Sequence, residues 1–328
     1  MYPNIFIMLI SAVNTVRTVR RLGCCAAKKG FSQKHWSECA TYFLSVCGFG
    51  GVTPERFAFS AFNCDGFPGL YILYRCMIAL YQFVWTVLIV REWGNEPHYT
   101  PSDQKWKMLL FLSYWSYFGL TGYFMFATIA VSVYHYTSHN AANFSPDESE
   151  KTITIDEVIT LNVVEEGDRN NINMNKGLTD KRDLPNYFSF MWFLQVIAYS
   201  TSVGATIVYW LQERPNHIFG AHVHGINTVL CSIDAIVIAN PYRFCHVIYT
   251  SLFCLSYILF TVIFWTFGGL NHKGYRYIYK NHLDWENNIS DSLLFTFFIT
   301  FIIAPISNSF FWLLIKIKEN VIQQWINE

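Results

Sequence analysis

This sequence predicts an all-α, polytopic integral membrane protein, a bundle of about six transmembrane helices, and three observations lead there. The first is composition: 328 residues that are 52% hydrophobic, 18% aromatic and only 14% charged, with a mean hydropathy of +0.23, which puts the chain in the membrane class. The second is a series of long apolar runs at residues 70–90, 108–134, 187–211, 219–239, 245–268 and 289–315. Each approaches the roughly 20 residues that cross a hydrocarbon core, and backbone groups in lipid must bond one another, which makes the runs helices. The third is the placement of Trp93, Trp106, Trp210, Trp285 and Trp312 at or near the ends of these runs, where an interfacial aromatic belt belongs.

The elements follow in order. Residues 1–69 read as a cytosolic or interfacial N-terminal region. Its apolar stretch 2–13 is too short to span, and Arg17, Arg20 and Arg21 follow it, where a signal peptide would carry them in front. Cys24 and Cys25, flanked by Arg20, Arg21, Lys28 and Lys29, have two readings, palmitoylation beside the membrane or unmodified cytosolic thiols. Residues 39–63 are moderately apolar, but Gly48, Gly50, Gly51 and Pro54 interrupt them, which suggests a surface or re-entrant element. Residues 70–328 form the transmembrane domain. A polar loop at 137–184, rich in Asp, Glu, Asn and Thr, divides its second and third spans and is expected to be mostly disordered. Within that loop TITIDEVITLNVV, at 152–164, alternates like a strand without a partner.

Orientation follows the basic residues near span ends. Arg17, Arg20, Arg21, Lys28, Lys29, Lys34, Arg56, Arg243, Lys316 and Lys318 fall on one side, and Arg91, Lys105, Lys107, Arg214, Lys273, Arg276 and Lys280 on the other. The bias puts both termini in the cytosol. That places the NFS sequon at Asn143 inside, so a glycan found there would overturn the assignment.

Several function classes drop out. Net charge is zero and no basic cluster interleaves with aromatics, so nothing points to nucleic acid. The nine cysteines contain no CxxC pair, and Cys76, Cys231 and Cys254 lie inside spans, where a thiol packs as a small hydrophobe. His217, His222, His224 and His246 lack metalloprotease spacing, so no metal is expected, and nothing implies a cofactor. No internal repeat suggests the duplicated architecture of many transporters.

The candidate site is the set of polar residues inside the spans, since such groups are costly in lipid and face a bundle interior or a wet cavity. In HVHGINTVLCSIDAIV, at 222–237, Asn227 and Asp234 are seven residues apart and share a face with His224. Arg75 in the first span lies at a depth comparable to Asp234, and Gln82 comes level with Asn227. An Arg75–Asp234 ion pair is therefore expected, extended by Gln82, Asn227 and His224, with Gln195 and Asn308, near the kink at Pro305, able to join. Helix-to-helix hydrogen bonding and a ligand or catalytic site both fit this set.

HGINTVLCSIDAIVIANPYRFCHVIYTSLFCLSYILFTVIFWTFGG, followed by GYRYIYKNHLDW, resembles the rolling stone family of multipass proteins. WSYFGLT at 115–121 and MWFLQVIAYSTSVGATIVYW at 191–210 fit the same pattern more loosely. The resemblance implies an integral plasma-membrane protein whose partners are the lipid bilayer and a membrane or cell-surface protein. For the family's founding member it implies a link to myoblast fusion during myogenesis, with no established reaction. HGINTV is also distantly similar to the androgen-induced multipass family, which hydrolyses fatty-acid esters with a threonine nucleophile and a histidine. That motif would put its first histidine on His224 and its catalytic histidine on Asn227, and asparagine cannot serve as a general base. The threonine would fall near residues 74–76, where no Ser or Thr stands. A relocated pair, Thr228 with His224 one turn away, is the remaining catalytic candidate; a lipid or small-molecule binder or transporter is the third reading.

Overall fold

The computed structural model describes residues 47–62, 68–93, 102–144, 184–212, 218–280 and 282–327. The stretches 2–13 and 152–164, Cys24 and Cys25, the basic residues from Arg17 to Lys34, and most of the 137–184 loop lie outside the described residues.

Among the described residues six helical stretches make the bundle: α1 (Pro68–Glu92), α2 (Leu112–Phe144), α3 (Asn186–Gln212), α4 at 218–237, α5 (Val247–Thr266) and α6 at 289–327. Five of them, all but α4, are by length and composition single helices apolar enough to cross a membrane. α4 runs without a break through Ile218–Ala221, a π turn His222–Ile226 and Asn227–Val237. At ~1.5 Å rise per residue the whole reaches about 30 Å, the thickness of a bilayer core. α6 is composite in the same way, with a π turn Ile299–Ile303 before Ala304–Asn327.

The outside is apolar, and polar side chains are gathered inside among the buried apolar ones. On α1, Leu70, Leu73, Met77, Leu80, Val84 and Val87 point outward at helical spacing, while Arg75 and Gln82 on the opposite face are fully buried. That distribution suits lipid as the solvent, because polar groups lose hydration there and must find partners within the bundle. α3 is the central helix and packs against α2, α4, α5 and α6. Trp192, Val196, Tyr199 and Val203 along it are buried in the main core.

Two boundaries differ from the sequence reading. The second span begins at Leu112 instead of residue 108, because the preceding segment forms a 3₁₀ helix, Ser102–Leu110. Its apolar side chains pack sideways: Leu110 is buried against α5, and its carbonyl accepts the Tyr257 hydroxyl at 2.7 Å. α2 continues past residue 137 to Phe144, since no Gly or Pro stops it. Residues 47–62, read as a surface or re-entrant element, dock under the bundle, with Phe57 and Ala58 fully buried and Gly50, Gly51 and Thr53 exposed. The single helical turn Glu55–Ala58 leads into Ser60 and Ala61, which bond the Val237 carbonyl and close the end of α4.

Candidate functional site

Moving up α4 from its C-terminal end, four polar layers follow one another. The lowest caps the helix. Lys318 of α6 is buried and donates to the carbonyls of Ala235 (2.9 Å) and Ile238, so a cation sits where the helix dipole is negative. Beside it Arg56 donates to the Ala239 carbonyl at 3.0 Å and pairs with Glu319 at 2.8 Å.

The second layer is the ion pair. Arg75 Nη1 stands 3.1 and 3.3 Å from the two carboxylate oxygens of Asp234, and both side chains are fully buried. Tyrosines complete it. Tyr74 donates to Asp234 Oδ1 at 2.8 Å, while Tyr123 and Tyr199 donate to Oδ2 at 2.9 and 2.5 Å. The other edge of the guanidinium, Nε and Nη2, donates to the Tyr71 hydroxyl at 3.0 and 2.7 Å. The group also lies 5.1 Å from the Tyr71 ring centroid and 5.9 Å from that of Tyr123. Burying two charges is costly unless geometry and extra hydrogen bonds compensate, and here hydroxyls from α1, α2 and α3 supply those bonds. A carboxylate offers about four lone-pair sites. Asp234 already receives Arg75 and three phenols, so it has no free acceptor for a substrate proton or a ligand.

The third layer contains Asn227, which is fully buried, as is Gln82 of α1. Asn227 Oδ1 accepts the Thr228 backbone N–H at 2.7 Å, and among the described residues neither its Nδ2 nor either amide atom of Gln82 has a hydrogen-bond partner. The fourth layer is built around His222. Its ring shares hydrogen bonds with the hydroxyls of Tyr117 (2.9 Å) and Tyr81 (3.2 Å), and Trp85 stacks on it at 4.2 Å.

The two residues of the catalytic candidate have different partners. His224 stacks face to face on Tyr209, at 3.7 Å and 4°, and its Nδ1 has no partner. The Thr228 hydroxyl donates to the Ser202 carbonyl at 3.1 Å and shares a hydrogen bond with Thr206 at 2.7 Å. The π turn His222–Ile226 includes His224 and adds residues to that turn, so positions four apart no longer stack across it. Gln195 and Asn308 sit apart from this column. Gln195 accepts from Asn240 at 2.7 Å, and Asn308 donates to the Phe244 carbonyl at 3.0 Å.

Sequence reasoning missed the four tyrosines, His222 as a bonded residue, Lys318 as a cap, and Asn240. Tyr71 stands four residues before Arg75, a local clue. Tyr123 and Tyr199 read as ordinary span aromatics until packing brings them to Asp234. Among the described residues no group of three or more His, Cys, Asp or Glu is placed to hold a metal ion.

At the opposite end of the bundle the α5–α6 connection is ordered. Asn271 Oδ1 accepts the backbone N–H of Lys273 (2.8 Å) and Tyr275 (2.9 Å), and its amide donates to the Tyr277 carbonyl at 2.8 Å. Gly274, at φ +81°, takes a turn that a side chain would strain. Asp284 Oδ1 gathers the backbone N–H groups of Glu286 and Asn287 at 3.2 and 3.0 Å. Tyr275 is exposed and stacks on Tyr277 at 5.0 Å, next to an Arg276–Glu286 ion pair of 2.9 Å.

Comparison with known proteins agrees with the resemblance in the sequence. A family model described as protein rolling stone matches residues 169–324. A relative named Protein rolling stone, from Drosophila melanogaster, is 32% identical over 103 residues, 29% of this chain and 37% of the relative. The matched part thus covers well under half of that relative's length. No solved structure matches. Both are similarities over less than half of this chain, and the family-model match lies in its C-terminal half, which holds α4 and Lys318 but not Arg75.

Proposed function

We infer that this rolling stone-like, multi-pass membrane protein works at the plasma membrane in cell–cell contact or fusion of the kind that forms muscle, by binding a membrane or cell-surface partner. Both termini face the cytosol in this reading, and the buried polar column holds the bundle together instead of doing chemistry. The observation that carries it is the saturated carboxylate of Asp234, whose four partners make it a structural anchor and not a base. The hydrolase alternative lacks support of the same kind, since the Thr228 hydroxyl is committed to α3 and His224 to Tyr209.

The partner-binding surface in this proposal is the α5–α6 connection. Its turns are fixed by Asn271 and Asp284, so Tyr275 and Arg276 are presented with little ordering left to lose on binding. With the termini inside, an even number of passes puts this surface outside the cell. The test pairs Tyr275→Ala/Arg276→Ala with wild type in a mixed-cell adhesion and fusion assay, with surface expression measured in parallel. The expected result is normal surface expression in cells that no longer adhere or fuse. Adhesion and fusion at the wild-type level would remove this surface from the proposal. Fluorophosphonate labelling of the purified protein that disappears in both His224→Ala and Thr228→Ala would replace the whole reading with a lipid hydrolase.

A further inference from the structure

The segment that docks under the bundle begins beside the start of α5, and three hydrogen bonds hold it there. Tyr249 Oη donates to the Cys47 carbonyl at 2.9 Å, and Arg243 Nη1 and Nη2 donate to the carbonyls of Gly48 (2.6 Å) and Gly50 (2.8 Å). The ring of Phe49 is set among Trp192, His246 and Tyr249, with centroids 5.3, 4.7 and 4.8 Å away. Residues 243 and 249 flank Cys245 on either side, so these anchors bring Cys47 beside Cys245.

Their surroundings differ from those of the other described cysteines. Cys231 and Cys254 are buried in spans and Cys76 points into lipid. The Cys47 thiol is held below its ordinary value first by the hydrogen bond from Cys245, with burial opposing and the Arg243 guanidinium assisting. A thiol so held beside a second cysteine is the arrangement that supports reversible oxidation. Cys47 is only 6% exposed. Its oxidant must therefore be small, of hydroperoxide size.

We propose that Cys47 and Cys245 are a redox-responsive dithiol, oxidised by a small hydroperoxide to a disulfide that ties residues 47–62 to the start of α5. In the first step the Cys47 thiolate attacks the outer oxygen of the hydroperoxide, ROOH. The O–O bond breaks, ROH leaves after taking up a proton, and Cys47 becomes a sulfenic acid. In the second step the Cys245 sulfur attacks the Cys47 sulfur, the S–S bond forms, and the departing hydroxide takes the Cys245 proton to give water. The sum is two thiols and ROOH to one disulfide, ROH and water. The same segment caps α4 through Ser60 and Ala61 and carries Arg56 to Glu319, so the bond would fasten the closure of that bundle end.

The test uses the full chain purified in detergent under reducing conditions, treated with a few equivalents of hydrogen peroxide, quenched by alkylation and digested for mass spectrometry. The expected product is a Cys47–Cys245 linked peptide that dithiothreitol removes and that neither Cys47→Ser nor Cys245→Ser yields. In Cys245→Ser, dimedone should trap Cys47 as a sulfenic acid. Both variants exchange a thiol for a hydroxyl of similar size, and an elution profile matching wild type shows that they fold. Oxidation at other cysteines without the linked peptide, or a Cys47 that links equally to other cysteines, would overturn the proposal.

Discussion

The two halves of α4 carry similar polar residues under opposite conditions. Around Asp234 every strong group is answered: one guanidinium, three phenols and, a turn below, the Lys318 cap. Around Asn227 the backbone leaves a π turn, and among the described residues neither Asn227 Nδ2 nor His224 Nδ1 has a hydrogen-bond partner. The difference tracks charge. A buried ion without compensation costs several kcal/mol, whereas a neutral amide left unpaired costs about 1–3 kcal/mol. The charged layer has to be complete for the bundle to form, and the amide layer does not.

Removing one member of the pair should have the largest effect. Asp234→Ala leaves the Arg75 guanidinium buried with only hydroxyls around it, and about 3–5 kcal/mol of stability should go. Heating detergent-purified protein and following monodisperse elution would read this as a large drop in melting temperature or as failure to accumulate. Arg75→Met combined with Asp234→Leu should recover much of the loss, because an apolar pair leaves no orphan charge. If the double variant is as unstable as the single one, the two residues act through something other than each other.

Smaller effects should follow outward from the carboxylate. Tyr199→Phe deletes one donor to Asp234 and keeps the ring that packs on Phe311 at 4.7 Å, so the expected cost is about 1.5–3 kcal/mol, that of a hydrogen bond to a charged group. Lys318→Met keeps the stem and removes the cap on the α4 carbonyls, for about 1–2 kcal/mol. Both are measured by the same melting experiment. A Lys318→Met loss exceeding that of Tyr199→Phe would move the main clamp from the ion pair to the helix end.

The ion-pair layer was legible because depth along an antiparallel pair of spans follows from counting residues, which sets Arg75 opposite Asp234. Span identity was legible from hydropathy for the same reason that α1 shows Leu73, Met77 and Leu80 to lipid. The tyrosine ring was hidden, since Tyr74, Tyr123 and Tyr199 come from three helices and only the packing of α2 and α3 joins them. The π turn was hidden too. HVHGI reads as ordinary helix, and only the register change shows that His224 points to Tyr209 and not to Thr228. Gly48, Gly50 and Gly51 looked like breaks in a span, whereas the carbonyls of Gly48 and Gly50 are the acceptors that let Arg243 hold the docked segment.

The smallest expected effect is the most discriminating. Gln82→Leu and Asn227→Leu each replace a fully buried amide that has an atom left unpaired among the described residues. If the amide layer only fills space, removing an orphan polar group relieves its desolvation, and each variant should melt within about 1 kcal/mol of wild type or above it. If the layer holds ordered water or the polar end of a lipid, the same substitutions remove the partner of that guest, and stability should fall by about 1–3 kcal/mol. A fall of that size in both variants, with Tyr199→Phe unchanged from its expected value, would make the half of α4 above Asp234 a binding layer and leave the clamp as its frame. Melting temperatures at or above wild type would leave the amides as tolerated costs of a helix positioned by Asp234.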